Sequence, residues 1–282
     1  MTSPSRLIVG CGYLGSRVAS RWLAEGSQVH AITRRESRAA DLAARGIDPI
    51  VADVTRPETI PTLPDVATVF WAVGFDRASS ASHHDVHVKG LAHVLDTLPG
   101  HPRPILSSST GVGGDEGGGL VNETTPPHPS RDAGRVLLEA EDLLRGHRLG
   151  PGVALRFAGL YGPERLPRIA DLVAGRPLAV DPDSWLNLIH VDDAAAIVCA
   201  IAAAKSPASL YVVSDGHPVR RRDWYDHIAS CLGSPPPTWD TAAPRSRGAD
   251  KRVDPSRIFR DLPLRLAHPD PLVTIAHLVE QS

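Results

Sequence analysis

The chain lacks any charge imbalance: 30 Lys and Arg stand against 32 Asp and Glu, a formal net charge of −2 over 282 residues. Without a basic excess, nucleic acid is not an expected partner, and without an acidic tail no solvated arm is expected. Cysteine is scarce. Cys11, Cys199 and Cys231 are odd in number and widely spaced, which argues against a disulfide framework and against a zinc site, and fits a reducing cytoplasm. Long apolar runs are missing too. The longest, "AAAIVCAIAAA" (194–204), falls well short of the ~20 residues a membrane span needs. The opening "MTSPSRLIVG" has neither the apolar length nor the cleavage site of a signal peptide. Asp192 and Asp193 before the alanine run and Lys205 after it suit a buried helix with a favourable macrodipole.

What is present is an ordinary globular composition, 42% hydrophobic and 22% charged, arranged as short apolar runs alternating with helical patterns. Strands are expected near residues 6–10, 28–33, 48–53, 67–73, 103–109, 153–157, 186–190 and 210–214. Between them, "GRVLLEAEDLLRG" places Val136, Leu137, Ala140, Leu143 and Leu144 on one stripe with the charges opposite. Strand–helix alternation predicts an α/β fold, a doubly wound parallel sheet with helices on both faces. Two stretches break the rhythm: the Gly- and Pro-rich residues 111–129, read as a long surface loop, and the Pro-rich residues 233–248. The expected division is a nucleotide-binding domain over 1–160, completed by strands within 186–214, and a smaller, mainly substrate-binding lobe over 161–282.

In "LIVGCGYLGSRVASRWL" (7–23) three glycines lie between the first strand and the first helix. This is the context in which G-x-G-x-x-G signals dinucleotide binding. Gly10 would permit the tight turn, Gly12 the approach of a diphosphate, and Gly15 close packing of helix on sheet. Tyr13 and Leu14 complete the turn. A glycine-rich turn without a ligand is the alternative. NAD binders usually place an acid at the end of the second strand, but "AITRRESR" offers Thr33, Arg34 and Arg35. Two guanidiniums suit a 2′-phosphate, which favours NADP over NAD. A solvated basic turn partly neutralised by Glu36 is the competing reading.

Four further segments, "ILSSSTGVGG" (105–114), "LRFAGLYGP" (155–163), "NLIHVDDAA" (187–195) and "LYVVSDGHPV" (210–219), resemble the extended short-chain dehydrogenase/reductases, in their NAD-dependent epimerase/dehydratase branch. "DKRVDPSRI" (250–258) is similar to short bacterial members of the nucleoside-diphosphate-sugar epimerase-like kind. The resemblance implies an oxidoreductase or epimerase with a small-molecule substrate, and makes a homodimer plausible. It implies that Asp53 and Val54 contact the adenine, that Ala72, Val73 and Gly74 line the cofactor, and that Ser109 hydrogen-bonds the reacting oxygen. His190, Val191 and Asp192 would form a structural turn, with Asp192 as N-cap.

The family's Tyr-x-x-x-Lys pair is absent. Its positions fall on Arg131 and Arg135, and none of the four tyrosines (13, 161, 211 and 225) is near. Arg135 could still hold the ribose as a cation, but an arginine, with a pKa above ~12, cannot exchange the proton. Asp132, His128 and Tyr161 are candidate replacements. Arg222, Asp223, Tyr225 and His227 in "RRRDWYDH" are a further set, on a helix expected to turn Trp224 and Ile228 inward. Arg165, Arg168 and Arg176 could meet a phosphorylated substrate or simply be solvated. A cofactor-binding sensor or scaffold without redox turnover is the alternative function.

Overall fold

The first strand is apolar on both sides, so it must be covered on both faces, and this sets the architecture. A computed structural model describes residues 3–76, 78–166, 168–240 and 249–280. Its central sheet has seven strands: β1 (Ser5–Val9), β2 (Gln28–Thr33), β3 (Asp48–Val51), β4 (Thr68–Trp71), β5 (Arg103–Ser109), β6 (Val153–Phe157) and β7 (Leu210–Val213). Their spatial order is β3-β2-β1-β4-β5-β6-β7, and β1 pairs in parallel with both β2 and β4. This is the doubly wound α/β fold expected from the alternation. Helices α1 (Gly15–Ala24), α2 (Glu36–Ala44), α3 (Gly90–Thr97) and α4 (Asp132–Gly146) follow their strands in chain order.

The chain forms two compact units. The first comprises Met1–Val112, Pro129–Arg156 and Ala195–Tyr211, and the second Gly113–His128, Phe157–Ala194 and Val212–Ser282. In the first, Leu7, Val9, Val69, Trp71, Leu91, Leu106 and Ala140 belong to one buried cluster. In the second, Tyr161, Leu178, Trp224, Tyr225 and Ile275 form another.

The expected strand at 186–190 does not join the central sheet. It is cut in two: Trp185–Leu186 pairs antiparallel with Val219–Arg220, and Leu188–His190 pairs in parallel with Gly159–Tyr161. The break is Asn187, whose side chain donates to the Lys251 carbonyl and accepts from Val253 N, each at 2.8 Å. The long loop is not wholly irregular either. Leu120–Val121 pairs in parallel with Arg252–Val253, and buried Lys251 donates from Nζ to the Gly114 carbonyl at 2.8 Å. Of the Pro-rich stretch, residues 241–248 lie outside the described residues.

Two helix readings are corrected. α5 (Ile169–Val173) precedes α6 (Val191–Ala203), and α6 starts one residue before Asp192, so Asp192 is not its cap. The His190 ring accepts from Asp192 N instead, at 3.3 Å. Asp193 turns inward, its buried carboxylate accepting from Ala267 N and His268 N at 2.8 and 2.9 Å. On α4, Val136, Ala140 and Leu144 are buried as a stripe, but so is Glu141, a charge expected to face solvent. No helix among the described residues is long and apolar enough to cross a membrane.

Candidate functional site

At the C-terminal ends of β1 and β4 the strand order reverses, the place where open α/β sheets bind ligands. The three glycines there do different work. Gly10 adopts φ +91°, and a Cβ on it would lie 2.8 Å from the backbone of Ala72 and Val73. A Cβ on Gly15 would lie 2.4 Å from the Gly10 carbonyl oxygen. Around a Cβ on Gly12 no described residue beyond its two chain neighbours comes within 4 Å. Two glycines are therefore demanded by packing, and the third borders open space. α1 begins without a side-chain cap hydrogen bond and without an acid in its own first turn, which leaves its first N–H groups room for an external anion. A diphosphate fits this combination. Leu14 is buried at the N-cap position, and the Arg17 guanidinium lies 4.4 Å from the Tyr13 ring centre while donating to the Tyr13 carbonyl at 2.8 Å.

At the end of β2, Thr33 is half-buried and its carbonyl accepts from Ala52 N at 3.0 Å. Arg34 and Arg35 are exposed. Arg34 is already paired, its Nη2 lying 3.0 Å from Asp76 Oδ2 in the segment after β4. The Ala78 N–H and Arg34 together hold the Asp76 carboxyl below the usual carboxylate range. Arg35 is the N-cap residue of α2. One turn on, Arg38 reaches back and donates from Nη2 to the Cys11 carbonyl, 3.1 Å away in the glycine turn.

The other cofactor candidates line the same end of the sheet. Ala72, Val73 and Gly74 follow β4, and Ala72 N donates to the Val9 carbonyl at 2.8 Å. The Asp53 carboxylate is folded into its own turn, accepting from Thr55 N and Oγ1 at 3.0 and 2.7 Å. Burial works to raise its pKa, but the Thr55 hydrogen bonds and the charges of Arg56 and Arg34 outweigh that and keep it low. Val54 is buried against Gly90, and its carbonyl receives His93 Nδ1 at 2.8 Å.

Ser109 ends β5, half-buried, with its Oγ accepting from Gly111 N at 3.1 Å. That bond uses an oxygen lone pair and leaves the hydroxyl hydrogen to donate elsewhere. α4 packs close to this turn, since a Cβ on Gly134 would lie 2.9 Å from the Gly111 carbonyl oxygen. Arg131, Asp132 and Arg135 are exposed around the start of α4, with Arg135 Nη2 3.6 Å from Asp132 Oδ1.

Of the three candidate proton donors, Asp132 is exposed at the start of α4, and the other two belong to the second unit. Tyr161 is 0% exposed, its hydroxyl enclosed beside Thr274, and burial pushes its pKa well above the usual tyrosine value. It lines no pocket. His128 is exposed. On α7 (Arg221–Cys231), Trp224, Tyr225 and Ile228 are buried, Arg222 and Asp223 face solvent, and His227 Nε2 donates to the Leu272 carbonyl at 2.9 Å. Arg168 and Arg176 both lean on Asp171, at 3.6 and 2.7 Å.

Three features were not read from the sequence. One is Arg38, in the first turn of α2, which the basic stretch "RRESR" does not set apart from Arg34 and Arg35. Another is a buried triad: Ser108 Oγ donates to Glu141 at 2.6 Å, and Arg156 grips the same carboxylate from Nε and Nη2 at 3.0 and 2.7 Å. The third is a π-helical turn, Asp85–Lys89, in which His87 is buried. Burial first, and the neighbouring His83 second, lower its pKa to about 4. No local signal announces the last two, because each depends on what the fold brings alongside.

Residues 7–214 match the NAD dependent epimerase/dehydratase family. The chain belongs to this family. Its full-length likeness is to Protein YeeZ of Escherichia coli (strain K12), 32% identical over 276 residues, covering 94% of this chain and 97% of that one. A candidate NAD-dependent epimerase/dehydratase from Methylobacillus flagellatus is 29% identical with a TM-score of 0.79, covering 99% of both chains. The Bordetella bronchiseptica enzyme WbmG, solved with NAD and UDP, shares the fold at a TM-score of 0.80 and 18% identity over 99% of this chain and 96% of that one. Membership makes NAD or its 2′-phosphorylated form the family cofactor of this epimerase/dehydratase relative.

Proposed function

We propose that this epimerase/dehydratase family member is an NADP-dependent oxidoreductase or epimerase acting on a small polar, nucleotide-sugar-like substrate without the usual catalytic tyrosine. The observation that carries this reading is the open space at Gly12 between two glycines that packing demands. Gly12, Tyr13, Leu14 and Gly15 would hold the diphosphate at the start of α1, and the basic end of β2 the phosphorylated ribose. Asp53 and Val54 would flank the adenine, and Ala72, Val73 and Gly74 the rest of the cofactor. UDP beside NAD in WbmG supports a nucleotide-linked substrate. The nicotinamide supplies hydride transfer.

The remaining chemistry belongs to the chain. Ser109 donates its hydroxyl hydrogen to the reacting oxygen and fixes its position. Arg135 adds positive charge beside the ribose. An arginine at position 131 cannot take the tyrosine's place as general acid or base. With Tyr161 enclosed, the proton at the substrate oxygen is exchanged with water over the exposed start of α4, and turnover is slow. The absence of a tyrosine there also supports a second reading, a cofactor-binding sensor or scaffold.

Titration with NADPH by nicotinamide fluorescence, followed by carbonyl reduction assays on wild type and Ser109→Ala, separates the two. Saturable binding with turnover that falls at least ten-fold in Ser109→Ala supports the enzyme. Saturable binding with no turnover on carbonyl compounds or nucleotide sugars supports the sensor. No saturable change at submillimolar NADPH ends both.

A further inference from the structure

The adjacent pair Arg34–Arg35 is the obvious reader of a 2′-phosphate, but the geometry divides the work differently. Arg34 is committed: its Nη2 lies 3.0 Å from the Asp76 carboxylate, and the two carry no net charge together. A phosphate arriving there would have to displace a carboxylate. Arg38 is placed otherwise. Its Nη2 donates to the Cys11 carbonyl at 3.1 Å, so the guanidinium bridges the β2–α2 turn and the glycine turn, the two walls between which a ribose at the end of β2 would lie. Its contact with a carboxylate, Asp41, is longer, at 3.7 Å, and Asp41 is well hydrated. One donor of a five-donor fork is used on Cys11, which orients the plane and leaves others for an anion.

We infer that Arg38 is the residue by which this protein distinguishes a 2′-phosphorylated dinucleotide from its unphosphorylated form, and that Arg34 is a strut tying the end of β2 to the segment after β4. This rests on the proposed NADP reading and names the side chain that enforces it. Arg35, exposed at the start of α2, contributes general positive charge.

Dissociation constants for NADPH and NADH, measured by calorimetry on wild type, Arg34→Met, Arg35→Met and Arg38→Met, test the assignment. Methionine keeps most of the aliphatic stem, so packing is largely retained. Arg38→Met is expected to lower the NADPH-to-NADH affinity ratio at least ten-fold. Arg34→Met is expected to weaken both cofactors alike, leaving the ratio within three-fold, and Asp76→Asn to do the same. A thermal melt within about 2 °C of wild type shows that Arg38→Met is folded. If the ratio follows Arg34 or Arg35 and not Arg38, the assignment is overturned while the NADP reading stands. If wild type binds neither cofactor, or prefers NADH, the NADP reading fails and the assignment falls with it.

Discussion

Gly12→Ala and Gly15→Ala are the same chemical change three residues apart, and the structure gives them opposite consequences. At Gly12 the backbone is outside the left-handed region, and among the described residues beyond its chain neighbours the added methyl meets nothing within 4 Å. The substitution therefore costs the fold nothing and restricts the unfolded chain, a gain of about 0.4–1 kcal/mol. At about 2–4 °C per kcal/mol, the melting temperature rises by about 1–4 °C. The methyl nevertheless occupies the space assigned to the diphosphate, so NADPH affinity should fall at least ten-fold, about 1.4 kcal/mol. At Gly15 the methyl would lie 2.4 Å from the Gly10 carbonyl oxygen and 3.2 Å from Ile8 Cγ2. Helix and strand must separate by several tenths of an ångström, an overpacking cost of about 1–3 kcal/mol that lowers the melting temperature by about 2–12 °C. Calorimetric melts without ligand, paired with fluorescence titration, read both quantities. If Gly12→Ala melts as low as Gly15→Ala, or binds NADPH like wild type, the division of labour among the glycines is wrong.

Glu141→Ala should be among the most damaging changes outside the site, destabilising by about 3–5 kcal/mol in urea titration, because Arg156 is left charged and buried. Replacing both partners, Glu141→Leu with Arg156→Met, should recover most of that loss; no recovery would show that the pair is not what Glu141→Ala removes. Burial, more than any neighbouring charge, raises the Asp215 carboxyl to about 8. The folded protein then holds a proton that the unfolded chain releases, so stability falls as pH rises from about 4 to about 8. Asp215→Asn should flatten that slope in melts across the range, and an unchanged slope would refute the assignment. Asn187→Ala frees Lys251 O and Val253 N, and limited proteolysis should then cut near residues 250–254 faster than in wild type. Equal rates would show that the amide does not hold this segment.

Much of the central sheet could be read from the chain because each strand is a local apolar run: β2, β5 and β6 fall where they were expected. Expectation failed where structure depends on distant partners. Nothing in "LNLIH" says that Asn187 will turn to the backbone at 251 and 253, and that long-range pair of bonds is what splits the strand. Leu120–Val121 pairs with residues more than a hundred positions away, so the glycines around it looked like unstructured loop. Glu141 read as solvent-facing because its partners, Ser108 and Arg156, sit on strands. At the site, the glycine turn and Ser109 were legible from motif and context. The arginines were legible as charge but not as geometry, since only the fold shows that Arg34 has its anion and that Arg38 leans on the glycine turn.

The central claim is most directly tested by a crystal structure with NADPH bound. The diphosphate is expected against the N–H groups that open α1, over Gly12, with the 2′-phosphate within hydrogen-bond reach of Arg38. A dinucleotide bound elsewhere, or a first turn of α1 closed off by side chains, would contradict it.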